Sequence, residues 1–97
     1  MRRLTVGLSY TKNMPAAAKA NVVIYSRPGC HLCEEAKQAM RAAGCDDDYT
    51  LTEINIESDA GLLHHYRNDI PVILINGSEA FRHRLTSTAF REALLNR

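Results

Sequence analysis

The sequence predicts an α/β fold in which one mixed sheet of four strands is flanked by about three helices in the order β-α-β-α-β-β-α. Three observations predict it. Val22-Val23-Ile24-Tyr25 is a β-branched and aromatic run that stops at the breaker Pro28-Gly29. Behind the breaker, Leu32, Ala36, Ala39, Met40 and Ala43 recur at three- and four-residue spacings with Glu34, Glu35, Lys37, Gln38 and Arg41 between them. Further on, Val72-Ile73-Leu74-Ile75 runs into Asn76-Gly77, the pair a type I′ hairpin turn demands.

The first strand is expected from Asn21, as a buried strand. The helix that follows runs about three turns and stops at Gly44. Asp46-Asp47-Asp48 forms a solvated turn, and Tyr49 to Ile56 is rich enough in β-branched residues to make a second strand. A helix separates the two strands, so they pair in parallel. Ser58 or Asp59 caps a second short helix with apolar positions Leu62, Leu63 and Tyr66. After the hairpin the return strand is expected at Ala80 to Arg84, with Arg82 and Arg84 on one face. Thr86 or Ser87 then caps a last helix that buries Phe90, Leu94 and Leu95.

Ninety-seven residues, 45% of them hydrophobic, suffice for one domain with a modest core. A net charge of +1 argues against nucleic acid as an obligatory partner, and no run approaches the length of a membrane span. The charge is unevenly placed. Residues 1–33 hold five bases and no acid, whereas residues 34–97 hold eleven acids against seven bases, giving +5 and −4. Residues 1–20 therefore read as a disordered tail, with a transit peptide as the alternative, and residues 21–97 as the folded domain. Three cysteines form an odd set, and two lie too close together to staple a small secreted fold, so the cytoplasm is the expected compartment.

Those two are Cys30 and Cys33, in Cys30-His31-Leu32-Cys33, where the first strand gives way to the first helix. A thiol is a weak nucleophile until its thiolate is stabilised, and helix N-termini and nearby cations do this. Cys30 has the first-turn amides, Arg27 and His31 close in sequence, so a thiolate favoured below the free-cysteine pKa of about 8.5 is expected there. On residue types alone the pair suits redox chemistry, zinc or an iron–sulfur cluster. His31, His64, His65 and His83 are the further ligands a metal site would draw on. No second Cys-x-x-Cys completes a four-cysteine set, and adjacent helical histidines cannot readily face one ion.

The stretch Tyr25-Ser26-Arg27-Pro28-Gly29-Cys30-His31-Leu32-Cys33-Glu34-Glu35-Ala36, with Ile70-Pro71 and the Asn76-Gly77 hairpin, resembles the glutaredoxins of the thioredoxin superfamily. More narrowly, it resembles a small bacterial glutaredoxin-like family with a Cys-x-Leu-Cys-Glu site. The resemblance covers about Asn21 to Leu95. It implies a thioredoxin fold, Cys30 as nucleophile, Cys33 as resolving cysteine, and a cis Pro71 beside the sulfurs, with Ile70's backbone free to pair with an extended substrate. Without the resemblance, Pro71 would read as a trans helix stop.

Arg27 matches a basic position that some glutaredoxins use for a substrate carboxylate. Glutathione-binding members follow their hairpin with Gly-Gly and an acid, where this chain has Phe81-Arg82-His83-Arg84. Glutathione is therefore in doubt as the partner. The expected activity is dithiol–disulfide exchange on protein or small-molecule disulfides, with no cofactor beyond the cysteines. The alternatives are a metal-binding protein and a non-catalytic binding module. His31 either tunes the thiolate or faces solvent passively, Cys45 reads as a small packing residue, and Arg82 and Arg84 as solvated edge charges.

Overall fold

The computed structural model describes residues 19–97; the basic segment 1–18 lies outside the described residues. Strand β1 (Ala20–Ser26) takes the centre of the sheet because its inward residues are wholly apolar but for the last, and it pairs on both sides. Strand β2 (Tyr49–Asn55) runs parallel to it in the register Ala20↔Tyr49 to Ser26↔Asn55. On the other side β3 (Val72–Ile75) runs antiparallel, Tyr25 facing Val72, and β4 (Ser78–Arg82) completes the order β2-β1-β3-β4. The strand begins one residue before the expected Asn21, since Ala20 is buried and paired.

Alternation along β1 sends Ala20, Val22, Ile24 and Ser26 to one face. Helices α1 (His31–Ala42) and α3 (Ser87–Leu95) cover that face, and the core joins Ala20, Val22 and Ile24 to Ala36, Met40, Tyr49, Ile73, Phe90 and Leu94. Phe90 is fully buried with its ring edge-on to Tyr49 at 5.1 Å. Helix α2 (Ala60–Tyr66) covers the other face, where Tyr66 stacks on Tyr25 at 4.8 Å. Of the paired capping candidates, Asp59 and Thr86 do the capping: Asp59 Oδ1 accepts from the Leu62 amide at 3.0 Å and Thr86 Oγ1 from the Ala89 amide at 3.1 Å. Ser87 instead donates its hydroxyl to Ala39 O at 2.7 Å, and the Arg91 guanidinium donates to Ala43 O at 2.9 Å. Both fasten α3 to the carbonyl end of α1.

Asn76 and Gly77 have φ of 51° and 86°, as the hairpin requires. The return strand departs from expectation. A two-residue turn lets pairing resume at once, so β4 starts at Ser78 opposite Ile75, not at Ala80. The ladder then slips: Leu74 faces Glu79 and Ile73 faces Phe81, leaving Ala80 as the extra residue of a bulge. His83, at φ 72°, ends the strand. Arg84 thus falls outside it and shares no strand face with Arg82, which binds Glu79 at 2.8 Å and Asp69 at 3.2 Å. Leu95 also departs, being 78% exposed, because Phe90 and Leu94 set the inward stripe at a four-residue spacing and the next residue turns about 100° away from it.

Candidate functional site

The first strand delivers the chain to the sheet edge at Ser26, and the turn Arg27–Gly29 carries it into α1. Gly29 has φ 79°, a left-handed conformation that costs glycine little, and the Cys30 amide closes the turn onto Arg27 O at 3.3 Å. Cys30 is thereby the N-cap of α1. Its Sγ accepts from the Cys33 amide at 3.1 Å, so the sulfur sits at the positive end of the helix.

Cys30 and Cys33 are joined as a disulfide across a Cα–Cα separation of 5.2 Å. Cys30 is half-buried beside a shallow recess of about 190 Å³ lined by Gly29, Cys30, His31 and Glu34, whereas Cys33 is 1% exposed. Cys30 is the more exposed of the two.

The other sequence-predicted residues divide. His31 is exposed at the first position of α1, next to Cys30. Arg27 is turned toward the end of β2 and ion-pairs with Glu57 at 2.8 Å. Ile70-Pro71 is a cis peptide; Pro71 is fully buried and precedes Val72, which faces Tyr25, so it shares the sheet edge from which the cysteine loop departs. The Pro71 carbonyl accepts from the His83 amide at 2.8 Å, and His83 Nε2 lies 3.0 Å from Asn68 O. Cys45 is half-buried, its thiol donating to Ala43 O at 3.5 Å and its side chain packed on the core. Among the described residues no three His, Cys, Asp or Glu side chains gather where they would hold a metal ion.

One group beside the site escaped the sequence reading. Ser26, 3% exposed at the end of β1, donates its hydroxyl to Glu53 Oε2 at 2.7 Å. Lys37 places its ammonium between Glu53 at 3.1 Å and Glu34 at 2.9 Å. The spacing of Glu34 and Lys37 on one helix face was legible, but their meeting with Glu53 depends on the β1–β2 register. The Ser26 hydroxyl, foremost, and the Lys37 ammonium hold the Glu53 carboxyl below its ordinary range against the opposing effect of burial. Glu34, then Glu53, push the Lys37 ammonium above its own.

A depressed acid contributes stability that is present above its unfolded pKa of about 4.3 and is lost as pH falls through the lower folded value. A raised lysine contributes stability present below about 10.4 and lost as pH rises through its folded value. Both contributions are whole from about pH 5 to 10. Glu53→Gln is expected to cost about 1 kcal/mol at pH 7, the carboxylate being partly solvent-screened, and the difference from the native protein should shrink below pH 4 in urea unfolding. A pH-independent difference would contradict the arrangement.

Among the described residues no helix is long and apolar enough to cross a membrane. The comparisons with known proteins agree with this geometry. The chain is 32% identical over 81 residues to the Dictyostelium discoideum glutaredoxin-like protein YDR286C homolog, covering 77% of this chain and 75% of that one. It superposes on protein XcR50 from X. campestris with a TM-score of 0.69 at 26% identity, covering 78% of this chain and 97% of that one. Protein Ne2328 from Nitrosomonas europaea gives 0.65 at 28% identity, covering 77% and 91%. Fasciola hepatica thioredoxin shares the fold at 17% identity, TM-score 0.52, covering 81% of each chain. The glutaredoxin-like domain model (DUF836) matches residues 21–95, and with its disulfide-forming Cys30–Cys33 pair at the head of α1 the chain belongs to that glutaredoxin-like family of the thioredoxin superfamily.

Proposed function

We propose that the protein is a dithiol–disulfide oxidoreductase in which Cys30 attacks and Cys33 resolves. The observation that carries this reading is the asymmetry of the pair: the outer sulfur caps α1 and accepts a main-chain amide, while the inner one is buried one turn along. An amide aimed at sulfur stabilises thiolate more than thiol, and exposure admits the substrate.

In the reduced form, Cys30 thiolate attacks one sulfur of a substrate disulfide. A bond forms between Cys30 and that sulfur, the substrate S–S bond breaks, and the other sulfur leaves as a thiolate that takes a proton from water. Cys33 then loses its proton and attacks the Cys30 sulfur. The internal disulfide forms, the mixed disulfide breaks, and the second substrate thiol is released. Two electrons have passed from the protein to the substrate, leaving the Cys30–Cys33 disulfide; every step reverses when an external dithiol supplies electrons.

The disulfide pairing also supports redox use over a purely structural role for the cysteines, because a loop of two intervening residues constrains little chain. The test is alkylation of the reduced protein across pH 5 to 9, with mass mapping of each thiol, together with equilibration against dithiothreitol. Cys30 is expected to react at least about tenfold faster than Cys33 at pH 7, with the pair closing reversibly to one disulfide. Equal, slow alkylation of both thiols, or no closure at any ordinary potential, would overturn the reading.

A further inference from the structure

We infer that the cavity beside the cysteine pair is a specificity site for polypeptide disulfides whose reactive cysteine is flanked by a large apolar residue and then by an acid. The inference rests on the disulfide-exchange reading and names its substrate class. The cavity measures about 440 Å³ and lies between the first turns of α1 and α3, closed below by the end of β4. Its walls are mostly apolar, formed by Leu32, Ala36, Phe81, Leu85 and Ala89, with Glu35, His83, Arg84 and Thr86 also on the lining. Leu32 is the residue immediately before Cys33. Leu32 lies between the two cysteines in the chain, so the cavity and the pair share the first turn of α1.

The rim supplies the second element. Arg84 stands at the mouth with its side chain 74% exposed, and its nearest carboxylate, Glu35, is 3.6 Å away. That is a long, solvated pair which a substrate carboxylate can replace at little cost. The neighbouring cations are engaged more closely: Arg82 binds Glu79 at 2.8 Å and Arg27 binds Glu57 at 2.8 Å. Apolar walls reward a leucine or phenylalanine side chain and give nothing to a small polar one. The left-handed turn at His83 takes the chain off the sheet, and Leu85 and the N-cap Thr86 then lead into α3 along the wall of the cavity.

The experiment uses the full chain, reduced with dithiothreitol and freed of excess. Its probes are short blocked peptides whose cysteine is a mixed disulfide with thionitrobenzoate, flanked by Leu-Asp, Ser-Asp or Leu-Lys, with cystamine and the thionitrobenzoate mixed disulfide of glutathione alongside. Each turnover oxidises the protein dithiol and releases one peptide thiol and one thionitrobenzoate. The Leu-Asp peptide is expected to exceed Ser-Asp in the second-order rate constant of this single turnover by about tenfold, on the scale that apolar pockets discriminate by side-chain size, and Leu-Lys by about threefold at low salt. Ala89→Trp, which fills the cavity, should bring the leucine-to-serine ratio to about one, and Arg84→Glu should invert the aspartate-to-lysine ratio. Equal rates on the three peptides, or a faster glutathione substrate, would overturn this inference while leaving disulfide exchange standing. No reduction of any probe, cystamine included, would overturn the exchange reading and this one with it.

Discussion

Cys30→Ser is expected to lower disulfide reduction by at least about a thousandfold, while Cys33→Ser keeps the first step and stalls at a mixed disulfide. The two outcomes differ because the sulfurs occupy different places. Cys30 is half-buried beside a recess at the tip of α1, and Cys33 lies beneath it, 1% exposed. Removing the outer sulfur removes the only atom of the pair a bulky substrate can reach. Removing the inner one leaves attack intact and takes away the group that releases the product, so a Cys30–substrate adduct should accumulate in about one equivalent by mass spectrometry. Turnover by the Cys33→Ser protein at the native rate would show that an external thiol resolves the adduct and that the inner cysteine is dispensable.

The largest expected loss of stability is at Phe90→Ala, about 3–5 kcal/mol. Phe90 is fully buried and packs edge-on against Tyr49, joining α3 to the second strand through the middle of the core. Truncation loses the transfer free energy of the ring, opens a cavity that close-packed neighbours cannot fill, and forfeits the aromatic pair. Against the 5–15 kcal/mol that holds typical domains folded, this is a large fraction, and the thermal midpoint should fall by roughly 15–30 °C. Leu95→Ala, five residues on, should shift stability by less than about 0.5 kcal/mol, because that side chain is 78% exposed. Chemical denaturation of the two variants checks both values, and similar losses would contradict the helix orientation.

Much of the fold was legible because its signals are local. The alternation of strands and helices, the Gly44 stop and the Asn76-Gly77 turn each depend on residues adjacent in the chain. The errors came where a local pattern had two readings and packing chose between them. Leu94 and Leu95 are equally apolar, and only the angular position set by Phe90 decides which faces the core. Arg82 and Arg84 have strand spacing, yet the bulge at Ala80 and the left-handed His83 remove Arg84 from the strand. At the site, the cysteines and Pro71 were legible from motif and order. Arg27's engagement with Glu57 and the Ser26–Glu53–Lys37 group were not, since both join segments brought together by parallel pairing of β1 and β2.

The position of Cys30 at the end of α1 has a practical consequence for engineering. Its sulfur already does what a serine oxygen does at helix starts, accepting the amide of the third residue on. Exchanging one chalcogen for the other leaves the helix its hydrogen-bonded terminus while deleting the outer sulfur. A serine-capped protein is thus expected to stay folded while lacking the outer thiol, so any loss of disulfide exchange in it reports the sulfur and not the fold.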